Sequence, residues 1–96
     1  MVDFETAKQA LSAEICEWRE VKKLSQEKFA EDSSLHVNEV GKVERCETNP
    51  QLETLILLAK GMNLSLGGLV GALEKRAAVM EALTPKAAGA QGSPEN

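Results

Sequence analysis

The stretch from Leu24 to Arg45 constrains this chain more than any other. Ser25 is suited to start a helix, because its hydroxyl can accept an orphan backbone N–H. Phe29 and Ala30 follow as an inward face. Ser33, Ser34 and Leu35 then interrupt the pattern, and Val37, Val40 and Val43 restart it at helical spacing. The pattern predicts two short helices, from about Gln26 to Asp32 and from about Val37 to Arg45. A tight turn joins them, the unit whose second helix can enter a DNA major groove.

Other motifs keep step with this pair. Ser25-Gln26-Glu27-Lys28-Phe29-Ala30, Val43-Glu44-Arg45, Asn49-Pro50, Leu52-Glu53-Thr54-Leu55 and Leu64-Ser65-Leu66 stand in one order and spacing. In this the chain resembles the Xre-type helix-turn-helix family, from roughly Leu11 to Val70. The resemblance implies an all-α, five-helix lambda-repressor-like domain that binds double-stranded DNA. It also implies an ion pair between Arg19 and Glu44, bridging the first and third helices. Gln26 matches the family residue that touches phosphate and braces the reading helix. Where the family often has glycine, this chain has Lys23 and Ser34. Both are expected in the left-handed region, at a cost on the order of 1 kcal/mol each.

Ninety-six residues suit one domain, near the lower end for a self-sufficient core. Aromatic residues are scarce (Phe4, Trp18 and Phe29), so Leu, Ile, Val and Ala must build that core, which favours helices. Fifteen acids against eleven bases give a net charge of −4. Overall acidity disfavours a nucleic-acid partner without excluding one, because only the field at the docking face matters. Cys16 and Cys46 are too few for a disulfide framework or a zinc site, and reduced thiols fit a cytoplasmic protein of bacterial or phage origin. Asp3, Glu5 and Lys8 interrupt the N-terminus before a signal peptide can form. No window approaches the roughly twenty apolar residues of a membrane span.

In chain order, Leu11, Ile15 and Trp18 mark an amphipathic first helix from Thr6 to about Lys23. Asn49-Pro50 is expected to start the fourth, with asparagine as cap and proline at the first helical position. Its buried stripe would be Leu52, Leu55, Ile56, Ala59 and Met62, with Gly61 near the end. Ser65 would cap a fifth helix, whose extension through 71–83 follows a helix-turn-helix domain spanning 1–70. Leu66, Leu69, Leu73, Met80 and Leu83 share a face there and are expected to support a homodimer. Thr84-Pro85 stops the helix, and 84–96 reads as a disordered tail.

The third helix is the expected reading head. Val40 and Val43 would face the core, leaving Val37, Asn38, Gly41, Lys42 and Arg45 outward. Asn38 could pair with adenine, Lys42 with guanine, and Val37 with a thymine methyl. Ser25, Gln26, Lys28 and His36 would add phosphate contacts. From His36 to Thr48 three acids face two strong bases, which opposes a phosphate surface. His36 is the only histidine, and no ligand cluster, nucleophile–base arrangement or nucleotide-binding loop accompanies it. No metal, cofactor or enzymatic activity is expected. The function expected is a small dimeric transcriptional regulator, such as a repressor, on a short inverted-repeat operator. The alternative is a protein-binding module, an antiactivator or antitoxin subunit that has lost DNA binding.

Overall fold

Asp3 starts the first helix earlier than the apolar periodicity does. Its carboxylate accepts the Glu5 N–H (3.3 Å) and the Thr6 hydroxyl (2.9 Å), so α1 spans Phe4–Lys22. The computed structural model describes residues 3–83, and the tail at 84–96 lies outside them. Four more helices follow: α2 (Gln26–Ser33), α3 (Val37–Glu44), α4 (Leu52–Gly61) and α5 (Leu66–Leu83). The described residues contain no strand.

Four of the five helices stop in the same way. Lys23, Ser34, Cys46 and Asn63 all take the left-handed conformation, with φ of 58° or 59°. The next N–H then reaches back to a carbonyl in the last turn: Leu24 to Arg19 (2.8 Å), Leu35 to Ala30 (2.9 Å), Glu47 to Lys42 (2.8 Å) and Leu64 to Ala59 (2.8 Å). This closure satisfies orphan carbonyls, and it normally places glycine at the left-handed residue. Leu24 and Leu35, the residues that follow two of these turns, pack against the core. Lys23 and Ser34 behave as the resemblance implies, and Asn63 is of a type that tolerates the left-handed region, whereas Cys46 carries no such signal in the sequence.

Two expectations for α4 need correction. Asn49 and Pro50 lie before the helix. Its first bond runs from the Leu55 N–H to the Gln51 carbonyl (3.0 Å), and Gln51 caps it without a side-chain bond. The buried face is also rotated. Leu58, Ala59, Gly61 and Met62 are buried and Leu55 is half-buried, but Leu52 is 63% exposed and Ile56 46%. Leu52, Leu55, Ile56, Leu57, Leu58 and Ala59 surround α4 with apolar side chains, so periodicity alone selects no face.

The core joins Leu11 and Ile15 of α1, Phe29 and Ala30 of α2, Val40 and Val43 of α3, Leu58, Ala59 and Met62 around α4, and Leu69 of α5. α5 therefore folds back on its own domain. Leu69 is fully buried, Leu73 packs against the core, and Ala77 has no exposure. Arg76 spans to α1, donating to Glu14 (2.8 Å) and Glu17. This corrects two residues of the expected dimer face, Leu69 and Leu73, which pack into the core; Leu66 and Met80 are half-buried, and Leu83 is exposed. The division expected between 1–70 and 71–83 falls inside one unbroken helix. No single described helix is long and apolar enough to cross a membrane.

Candidate nucleic-acid interface

The last residue of α3 fixes the orientation of that helix. The Glu44 side chain is only 6% exposed. Arg19 of α1 donates to it twice, from Nε to Oε2 (2.6 Å) and from Nη2 to Oε1 (2.9 Å). Gln26 of α2 donates to the same Oε1 (2.8 Å). Arg19 also holds the Leu24 carbonyl (3.0 Å), and the Ser12 hydroxyl donates to the Glu44 carbonyl (2.5 Å). One carboxylate thus ties α3 to both earlier helices. Burial pushes the Glu44 carboxyl up, but the bonds from Arg19 and Gln26 and the charge of Arg19 prevail. They hold it below the usual carboxylate range. The Ser12 contact has no sequence signature, since a mid-helix serine commonly faces solvent.

Two side chains start the helices of the pair. The Ser25 hydroxyl accepts the Lys28 N–H (3.0 Å) at the start of α2. His36 Nδ1 accepts the Asn38 N–H (3.2 Å) at the start of α3. Lys28 is exposed and lies 3.1 Å from Asp32, one turn along α2. Asp32 raises the pKa of Lys28, so the lysine stays cationic.

Along α3, Val40 and Val43 are buried as expected. Val37 is half-buried against the core, which limits its reach toward a base. Asn38 and Lys42 are exposed and one turn apart, and neither side chain has a hydrogen-bond or ion-pair partner among the described residues. Gly41 is a correction: it is buried, covered by Arg45, whose Nη1 lies 2.9 Å from where a Cβ would stand. Arg45 in turn binds Glu47, from Nε to Oε2 (2.9 Å) and from Nη2 to Oε1 (3.2 Å).

The acids near this helix are largely engaged. Glu44 holds Arg19, Glu47 holds Arg45, and Glu39 accepts from Thr54 (3.5 Å) at the start of α4. Among the described residues, no three His, Cys, Asp or Glu side chains group to hold a metal ion.

Two short helices, a left-handed turn between them, and a second helix that is braced by a buried acid and presents unpaired Asn38 and Lys42 define a DNA-binding helix-turn-helix protein. The chain belongs to the helix-turn-helix family HTH_3, whose model matches residues 17–69. The family is one of transcription regulators, not of enzymes. The chain is 43% identical over 67 residues to the control protein C.SmaI of Serratia marcescens, across 70% of this chain and 80% of that protein. Among solved structures it resembles the clp gene regulator ClgR of Corynebacterium glutamicum. That likeness has a TM-score of 0.68 at 19% identity, over 80% of this chain and 82% of the other. It also resembles a point mutant of the restriction–modification controller protein C.Esp1396I. There the TM-score is 0.65 at 27% identity, over 84% of this chain and 98% of the other.

Proposed function

We propose that this chain is a sequence-specific, cytoplasmic transcriptional regulator that binds a short inverted-repeat operator as a dimer. The likeness to C.SmaI and C.Esp1396I supports a role beside a restriction–modification system. The observation that carries the reading is the state of α3: its end is fixed by Glu44, while Asn38 and Lys42 stand exposed and uncommitted. Asn38 is suited to adenine N6 and N7, and Lys42 to guanine O6 and N7. Ser25, Gln26, Lys28 and His36 flank them at the helix starts, where backbone amides favour phosphate. Bound there, the protein regulates by blocking polymerase or recruiting it.

A gel shift across a salt series, on the promoter of its own gene and on a scrambled duplex, tests this. Asn38→Ala is expected to lose about 1 to 3 kcal/mol on the operator and little on the scrambled duplex. Lys28→Ala should weaken both alike and reduce the salt slope, by less than about one because Asp32 already neutralises part of its charge. Equal losses on both duplexes for Asn38→Ala would mean that it reads no base. No specific complex at all, with the fold intact and a protein captured instead, would favour the protein-binding module.

Dimerisation has a different face from the one the α5 pattern suggests. Leu52 and Ile56 stand one turn apart on α4 and are exposed, as is Val70 on α5. A second copy covering them would bury apolar surface worth roughly 25 cal/mol per Å². Ile56→Glu is expected to yield a helical monomer in sedimentation. A parent chain already monomeric at high micromolar concentration refutes the dimer.

A further inference from the structure

Surface ion pairs two residues apart are usually loose, because two long side chains must give up freedom to meet. Both side chains of the Arg45–Glu47 pair are more than half exposed, but the backbone that carries them is fixed. α3 ends at Glu44, and Cys46 turns the chain back through its left-handed conformation, with its thiol on the Lys8 carbonyl (3.7 Å). The Glu47 N–H then bonds the Lys42 carbonyl (2.8 Å), which seats Glu47 against the last turn of α3. Its carboxylate takes Nε and Nη2 of Arg45, while Nη1 lies over Gly41 at a distance no larger side chain would leave undisturbed. Glycine weakens the middle of a helix. Here it gives the guanidinium a place to lie.

We propose that Glu47 is a specificity-determining residue: it withholds Arg45 from DNA phosphates in general and presents it, oriented along α3, to a base in the groove. This rests on the DNA-binding reading above. A cation neutralised by its own carboxylate releases few counterions, so it adds little to binding on random sequence. The carboxylate also repels the phosphates of every sequence alike. A base edge is uncharged and suffers less from that neighbour. Glu47 occupies the Nε–Nη2 edge of the guanidinium and leaves the Nη1–Nη2 edge, a fork that fits guanine O6 and N7. Held in place beforehand, the fork loses less freedom when it docks.

The test is Glu47→Gln, read by fluorescence anisotropy on a scrambled duplex and on the operator. On scrambled DNA at low salt, binding is expected to tighten about five- to tenfold and the salt slope to steepen by about one, as one cation is freed. The ratio of operator to scrambled affinity should fall. In an Arg45→Ala background the same substitution should give a smaller gain, from lost repulsion alone, and should not steepen the salt slope. An equal gain there would mean that removing any negative charge suffices, and would overturn the proposal, as would an unchanged salt slope. A readout without DNA is the Arg45 Nε–H resonance in nitrogen-15 spectra. It should be resolved in the parent and lost in Glu47→Gln, and its persistence in the variant would show that Glu47 does not hold it. If the parent binds no duplex at any salt, the DNA-binding reading fails and takes this proposal with it. If the parent binds its operator and Glu47→Gln changes nothing, only the proposal fails.

Discussion

Glu44→Gln is expected to destabilise the domain by about 3 to 5 kcal/mol, because it leaves the Arg19 guanidinium short of its buried counter-charge. For a domain of this size that is a fall in melting temperature of well over about 10 °C. Gln can still accept one bond from Arg19, but it cannot take the second as a carboxylate does, nor neutralise the cation. A pair at the surface would be worth about 1 kcal/mol or less. A variant melting within a degree or two of the parent would therefore place Glu44 in solvent, against its 6% exposure.

The same pair sets a pH dependence with a definite sign. The folded-state pKa of Glu44 is lowered, so its contribution is complete above the unfolded value, near about 4.3, and is lost as pH falls through the lower folded value. The stability gap between parent and Glu44→Gln should close over that acid range. Arg19→Met should behave in the opposite sense. With the cation gone, burial, already the largest single influence on Glu44, is opposed mainly by the Gln26 bond, and the pKa is expected to rise. That variant should be weakest at neutral pH and recover part of its loss on acidification, as Glu44 takes up a proton. Thermal unfolding of the three proteins between pH 3 and pH 7 measures both slopes. Parallel curves would show that the charge on Glu44 is not what the fold relies on.

The short helices around the turn were legible because each carries its own start signal and a short apolar period. Ser25 is a hydroxyl cap with an N–H waiting three residues on, and Val40 and Val43 mark the inward face, although Val37, read as outward, also packs against the core. The Arg19–Glu44 contact was a different matter: it came from resemblance, since the two residues belong to separate helices and no local rule joins them. The errors have physical causes. Asp3 starts α1 before its apolar stripe begins, so the stripe dates the helix too late. Gly41 reads as an outward gap because nothing in the sequence says that Arg45 will fold over it. The heptad of Leu66, Leu73 and Met80 is real, but Leu69 and Leu73 meet α1, α4 and the core before they can meet another copy. A pattern shows that a face is apolar. It does not say what covers it.

The face of α4 was lost for the same reason, and a single contact decides it. Gly61 is helical, and it faces α2 at Ser33, which has no exposure. A Cβ on Gly61 would stand 2.0 Å from Ser33 Oγ, 3.1 Å from its Cβ and 3.2 Å from its Cα. Rotating the hydroxyl clears the first clash but not the backbone, so the two helices must part. Gly61→Ala is therefore expected to cost about 1 to 3 kcal/mol by overpacking. Open space would reverse the sign, because alanine improves a helix by about 1 kcal/mol over glycine. Ser33 also sharpens the test. Its Oγ has no hydrogen-bond partner among the described residues, so Ser33→Ala should be neutral or stabilising. In that background Gly61→Ala should cost less, since the nearest atom is gone while the Cβ and Cα remain. Denaturant unfolding of the four proteins gives the coupling directly. A Gly61→Ala protein more stable than the parent would mean that α4 does not lie against α2 at this residue. The exposure of Leu52 and Ile56, and the dimer face drawn from it, would then fall as well, because the Gly61–Ser33 approach sets the rotation of the whole helix.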